Sequence, residues 1–377
     1  MSKALAPTLE QPVGGFHLLW FETSNQYLVV DTALYELLQH FLAVDTPKAF
    51  DRLVNRRAQG VDTGMLYQDL ASVLEQAHHT PTKAPLPSLN YQTKPHCITH
   101  YYRIGPKVFE VHYDSEAIQQ LLHPKLSHYS LKHPPERTNV VLDLYQSADQ
   151  YCLFKDGVLL GTYSPEAPHV LQGEFGMALL CSLHDNEEMD WLGVFHASTV
   201  VKADRAVLLI GNSGMGKSTF TALLHAHNYT ILADDMAPML FKDRLLYAYP
   251  SGISIKSGAF DLLNTHIKGF KALDSHYISP YKGTVKYVNP DPRHRLDYQR
   301  GYACRTMVQI QYQKDHPTIL EPLALDTALH TLIPESWLAP KESHAQAFLD
   351  WIKTVRFYSL TYSDHEAALI KFSECFE

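Results

Sequence analysis

The sequence predicts an α/β protein whose main domain is strand-rich in its first half and is preceded by a small winged-helix-like module. Three observations carry this. An apolar β-type run, Ala206-Val-Leu-Leu-Ile210, passes through a glycine-rich turn, Gly211 to Ser218, into helical text over 219–227. Five short strand-like runs lie upstream of it, separated by turn signals. The opening of the chain reads as a hairpin followed by three helices.

In chain order, the first module spans 1–78. Phe16-His-Leu-Leu-Trp-Phe21 and Gln26-Tyr-Leu-Val-Val30 pair around the turn Thr23-Ser24-Asn25. Leu34, Leu37, Leu38 and Phe41 then recur at helix spacing, and two further amphipathic segments follow over 49–57 and 63–77. Residues 79–96 read as an extended, proline-rich linker without a periodic apolar face. The main domain, 97–377, opens with strands expected over 101–104, 108–113, 139–144, 151–154 and 158–163, then a helix over 175–183.

Composition narrows the class. A hydrophobic fraction of 45% with 19% charged residues fits a folded chain, and 377 residues suffice for two or three domains. The net charge of −8 argues against a long nucleic acid as partner, which needs a basic face. Cys97, Cys152, Cys181, Cys304 and Cys375 are scattered without a C-x-x-C pair, as expected of buried thiols in a reducing compartment. No run approaches the roughly 20 apolar residues that cross a bilayer, and the opening residues hold no apolar stretch of signal length. The expectation is a cytoplasmic protein without membrane contact. The 22 histidines show no metal-ligand spacing.

The turn itself carries chemistry. Gly211-Asn-Ser-Gly-Met-Gly-Lys-Ser218 has the G-x-x-x-x-G-K-S pattern between strand and helix, the context in which backbone N–H groups surround phosphate oxygens. The residues expected to cradle a nucleoside triphosphate are Gly211, Asn212, Ser213, Gly214, Met215, Gly216, Lys217, Ser218 and Thr219. Lys217 is expected on the β- and γ-phosphates, and the Ser218 hydroxyl on Mg²⁺. A second strand, Thr230-Ile-Leu-Ala-Asp-Asp235, follows directly. Two carboxylates ending an apolar strand are costly without a cation. Beside a triphosphate one of them, Asp234, can hold the metal and the other, Asp235, can take the proton of an acceptor hydroxyl. No N-K-x-D or LSGGQ-like segment is present, which argues against a GTPase or a transporter ATPase.

Phe195-His-Ala-Ser-Thr-Val200, the loop with its flanks from Leu208 to Thr219, and Leu232-Ala-Asp-Asp235 together resemble the catalytic core of the HPr kinase/phosphorylase family, whose fold is related to phosphoenolpyruvate carboxykinase. The chain resembles more closely the HPr-kinase-like proteins found with peptide-modification systems. The resemblance covers roughly 97–377 and implies ATP with Mg²⁺, His196 and Asp235 as catalytic residues, and Asp235 as proton acceptor. It also takes Ala248 to Ile255 as the next hairpin, and 284–288, 304–310 and 355–362 as later strands. Lys286 and Arg305 are the basic residues expected at the phosphates. Where HPr kinases carry Glu after the loop Ser, this chain has Thr219, so HPr itself is not the implied substrate. The first module is similar to PqqD-like domains, which implies a peptide partner bound by strand addition.

The expected function is transfer of the γ-phosphate of ATP to a hydroxyl, a serine of a peptide or protein. A small-molecule acceptor on the same scaffold and a non-catalytic, nucleotide-dependent peptide binder are the alternatives. A homo-oligomer is compatible with the resemblance.

Overall fold

The computed structural model describes residues 2–54, 62–80, 98–147, 149–279, 282–292 and 296–376. The linker expected over 79–96 falls mostly outside the described residues, as do Cys97 and the basic triplet Arg293, His294 and Arg295.

The N-terminal unit is an antiparallel meander, β1 (Leu9–Val13), β2 (Phe16–Phe21) and β3 (Gln26–Asp31), followed by α1 (Thr32–Leu42), α2 (Pro47–Val54) and α3 (Thr63–Ala77). Asp31 caps α1 by accepting from Leu34 N, and Asp62 caps α3 by accepting from Gly64 N and Met65 N. Each satisfies a backbone donor that a helix start leaves open. The expected hairpin is β2–β3; β1 is an addition. Its Pro12 obscures the strand in the sequence, yet an edge position tolerates proline. Leu19, Phe21, Phe41, Phe50 and Leu74 fill a separate small core. The unit is also docked on the rest of the chain. Leu18 joins the main core, Asn25 Nδ2 donates to Leu338 O (2.7 Å), and Tyr27 packs edge-on against Phe348.

A five-stranded sheet follows in the order β4 (Ile98–Ile104), β5 (Lys107–Tyr113), β6 (Val140–Ser147), β7 (Gln150–Lys155) and β8 (Val158–Tyr163). All five strands are legible in the sequence as short apolar runs separated by turn signals. The helix joining β5 to β6, α4 (Glu116–Leu126), is not. Ser115 caps it, but Pro124 interrupts its text. Helix α5 (Pro168–His184) is buried along nearly its whole second half, hence its lack of a polar stripe.

The remaining elements are β9 (Trp191–Phe195), β10 (Ser198–Lys202), β11 (Arg205–Ile210), α6 (Lys217–Ala226), β12 (Thr230–Ala233), β13 (Ala237–Leu240), β14 (Ile253–Lys256), α7 (Phe260–His266), β15 (His276–Ser279), β16 (Gly283–Val288), β17 (Ala303–Tyr312), β18 (Ile319–Pro322), α8 (Leu325–Leu332), β19 (Trp337–Leu338), α9 (Glu342–Ile352), β20 (Arg356–Tyr362) and α10 (His365–Ser373). Six of the strands form a mixed sheet in the order β12-β10-β11-β17-β20-β18. β11, β17 and β20 are parallel neighbours, and β10 is antiparallel to both β11 and β12. The carboxyl ends of β12, β11, β17 and β20 therefore open on one edge, where α/β sheets bind ligands. Two smaller sheets, β13-β9-β19 and β14-β16-β15, flank that edge. The expected hairpin at Ala248 to Ile255 is instead strand β14, paired with β16 across an insertion that holds α7 and β15.

Helix α6 is held under the edge by its apolar side. Phe220 is fully buried against Tyr362 and Phe372, a burial that contributes about 1.5–3 kcal/mol. No helix among the described residues is long and apolar enough to cross a membrane. Cys152, Cys181, Cys304 and Cys375 are buried free thiols.

Candidate functional site

β11 delivers the glycine loop to the carboxyl edge, and α6 begins at Lys217. Gly214 and Gly216 sit at φ +90° and +92°, a region closed to most side chains. A Cβ on Gly216 would also stand 3.2 Å from Tyr312 Cβ. The loop is tied down by Tyr312 N donating to Met215 O (2.9 Å) and by Phe220 N donating to Gly216 O (2.9 Å). A cavity of about 810 Å³ opens above it. Gly211, Asn212, Ser213, Gly214, Gly216, Lys217, Ser218 and Thr219 line it; Met215 faces solvent.

The acidic pair stands at the end of β12, two strands from the loop strand. Asp235 has φ +71°, a left-handed conformation that aspartate tolerates better than most residues and that collects at functional sites. The turn aims the two carboxylates differently. Asp234 is 3% exposed and accepts from Ser198 Oγ (2.6 Å), Ser218 Oγ (3.2 Å) and Ser254 N (3.1 Å). Asp235 lines the cavity, with Lys217 Nζ at 3.7 Å and Lys282 Nζ at 4.0 Å.

Their electrostatics diverge accordingly. Burial, and then the charge of Asp235, push the Asp234 carboxyl up to about 6. Burial also acts to raise Asp235, but Lys217, Lys282, His196 and Lys125 outweigh it and hold that carboxyl below the usual carboxylate range. Two adjacent carboxylates with separated protonation behaviour are the arrangement in which one stays ionised as a base. Of these lysines, Lys125 is lowered to about 8, first by burial and then by the neighbouring charge of Lys282.

His196 lies just past β9. Its carbonyl accepts from Lys217 Nζ (3.4 Å), and its N–H donates to Ser336 Oγ (3.1 Å). Its ring Nε2 stands 3.3 Å from Glu335 Oε2. Burial, and then the charge of Lys217, lower the pKa of the imidazole.

Two expected residues are placed away from the cavity. Arg305 is exposed at the bulge near the start of β17, four residues upstream of Gln309, which pairs with Ile210. At about 3.3 Å per residue it sits about 13 Å back along the strand, toward the opposite edge. Lys286 is buried in β16, donating to Phe270 O (3.3 Å) and Lys271 O (2.9 Å). The lysine that this part of the chain brings to the cavity is Lys282, at the turn before the strand. Lys256, whose Nζ donates to loop Ser213 Oγ (3.2 Å), is a second cation that the sequence does not single out. Neither lysine sits in a local motif: the end of β14 carries Lys256 to the loop, and the turn before β16 carries Lys282 there. Arg300 pairs with Asp204 (2.7 Å) outside the cavity.

A Mg²⁺ ion fits the donor set. The Ser218 hydroxyl and the buried Asp234 carboxylate adjoin each other under the loop, and a hard cation that retains waters and phosphate oxygens takes only one or two protein ligands. The described residues hold no group of three or more His, Cys, Asp or Glu side chains arranged for a metal.

No protein-family model matches the chain, and no curated protein matches it. Among solved structures it is similar to that of the Hpr(Ser) kinase/phosphatase from Coxiella burnetii, at 13% sequence identity and a TM-score of 0.23, covering 48% of this chain and 91% of that chain.

Proposed function

We propose that the protein is an ATP- and Mg²⁺-dependent phosphotransferase that passes the γ-phosphate to a hydroxyl, a serine of a peptide or protein. The observation that carries this reading is the split acidic pair beside the loop lysine: Asp234 under Ser218, Asp235 ionised in the cavity 3.7 Å from Lys217. In this reading the loop N–H groups and Lys217 hold the β- and γ-phosphates. Ser218 and Asp234 hold the metal, which supplies charge neutralisation when bound. Asp235 accepts the acceptor's hydroxyl proton, and Lys282 balances the charge at that end of the cavity. His196, kept neutral and paired with Glu335, forms the wall beside them.

A peptide acceptor is favoured by the placement of the N-terminal unit. Asn25 bonds the carbonyl of Leu338 in β19, and β19 follows Glu335 and Ser336, both of which touch His196. A segment held by that unit is thus a few residues of chain from the reacting end.

The test is transfer of labelled γ-phosphate from Mg·ATP into a host-cell lysate, separated into macromolecules and metabolites, with Asp235→Asn as control. Label in a peptide or protein, lost with Asp235→Asn, is the expected result. Label only among metabolites would replace the peptide with a small-molecule acceptor. Equal label with both proteins would remove Asp235 from the chemistry.

A further inference from the structure

The carboxyl edge has an aromatic end as well as a charged one. Because β17 and β20 are parallel and in register, their last residues, Tyr312 and Tyr362, finish side by side next to the loop. Their rings are 5.7 Å apart at 75°, and His365, the first residue of α10, stacks on Tyr312 at 5.6 Å and 20°. All three line the cavity. They abut the loop directly, since a Cβ on Gly216 would meet Tyr312 Cβ and the Tyr362 hydroxyl.

The three rings differ in exposure. Tyr362 is fully buried and belongs to the core under α6, which accounts for it as packing. Tyr312 is 43% exposed at the end of β17, where its backbone pairs with Tyr362 of β20 and its N–H donates to Met215 O. With His365 stacked on it from one side, the part of the Tyr312 ring left exposed in the cavity is a surface on which a flat partner can stack. The partner's chemistry follows from the sheet order. Asp235, Lys217 and Lys282 occupy the β12 side of the loop, and Tyr312 lies on the β17 side. β12 and β17 are three strand spacings apart, about 14 Å. A nucleoside triphosphate laid over the loop with its γ-phosphate toward Asp235 runs in that direction and brings its base to the aromatic end.

We propose that Tyr312, backed by His365, is the stacking platform for the base of the bound nucleotide, which fixes the nucleotide's direction along the sheet edge. This rests on the nucleotide reading of the loop. Burial lowers the pKa of His365, in keeping with a neutral ring at that end.

The experiment compares the Kd of Mg·ATP with that of Mg·tripolyphosphate, which has the phosphates without the base. It uses calorimetry on the wild type, Tyr312→Ala and Tyr312→Phe. The Ala variant keeps the Cβ that packs on Gly216. The wild type is expected to prefer ATP by roughly tenfold, in the range of base–aromatic stacking. Tyr312→Ala should bring that ratio to within about twofold while tripolyphosphate binds as before, and Tyr312→Phe should keep the ratio. A ratio unchanged in Tyr312→Ala overturns the platform. Equal wild-type affinity for the two ligands also overturns it, and leaves the phosphate loop intact. Wild-type binding of neither ligand removes the nucleotide reading itself and the platform with it.

Discussion

Lys217 is 7% exposed and Asp235 28% exposed, with 3.7 Å between Nζ and Oδ1. At an effective dielectric of ~20 that separation corresponds to about 4.5 kcal/mol of attraction, and the partial exposure of Asp235 reduces it to ~2–3 kcal/mol. Lys217→Met keeps most of the side-chain volume and removes the cation, leaving two adjacent carboxylates short of their nearest positive charge. The expected loss of unfolding free energy is about 2–3 kcal/mol at pH 8. Asp235→Asn should cost under about 1 kcal/mol. It removes a partner of Lys217, but it also removes the charge that helps push Asp234 up to about 6. In the double variant neither problem remains in full. Its loss should fall short of the sum of the single losses by about 2 kcal/mol. Urea unfolding of the four proteins, followed by far-UV circular dichroism, measures this directly. Single losses that add to within about 0.5 kcal/mol would refute the reasoning, since residues without mutual coupling behave that way.

Three further outcomes follow from other parts of the molecule. His184 is 8% exposed between Trp191 and Tyr247, and burial lowers its pKa to about 4. The unfolded chain takes up a proton near pH 6.5 that the fold refuses until about pH 4, so this contribution is intact above 6.5 and is lost as pH falls between those values. The loss should reach about 2 kcal/mol by pH 5, and His184→Gln should flatten that acid slope in urea titrations at pH 7.5 and 5. Gly214 and Gly216 share a left-handed φ, but only Gly216 has a neighbour, Tyr312 Cβ, at 3.2 Å from an added Cβ. Gly216→Ala should therefore destabilise by about 1 kcal/mol more than Gly214→Ala, measured by thermal unfolding. Arg305→Ala and Lys286→Met should leave Mg·ATP affinity within about twofold of wild type in a calorimetric titration, while Lys286→Met alone costs about 1–3 kcal/mol of stability because two carbonyls lose their donor.

The parts of the site that lie along one stretch of chain are legible in the amino-acid sequence. The loop, Lys217, Ser218 and the acidic pair announce themselves through glycine spacing and through charge at the end of an apolar strand. The strands of the five-stranded sheet are equally plain, because turn signals separate their short apolar runs. What the sequence conceals falls into two kinds. Pro12 and Pro124 break the local patterns of β1 and α4, although an edge strand and the end of a helix accommodate them. The other kind is assembled by topology alone. Glu335 meets His196 through the connection after α8, Tyr312 and His365 meet the loop because two distant strands run parallel to β11, and Lys282 arrives through an insertion. Lys286 illustrates the limit: four residues from Lys282, it is buried in β16 and bonded to the carbonyls of Phe270 and Lys271, whereas Lys282 lies at the turn and reaches the cavity. Ser198 belongs to the same short segment as His196, and its bond to Asp234 at 2.6 Å follows from β10 lying between β11 and β12.

The most direct measurement of the central claim is a calorimetric titration of Mg·ATP into the wild type, Lys217→Ala and Asp235→Asn. The account predicts saturable, Mg²⁺-dependent binding by the wild type. It predicts a loss of at least about tenfold with Lys217→Ala, and affinity equal to or tighter than wild type with Asp235→Asn, because that change removes a negative charge facing the triphosphate. Absence of binding by the wild type, or affinity unchanged by Lys217→Ala, would contradict it.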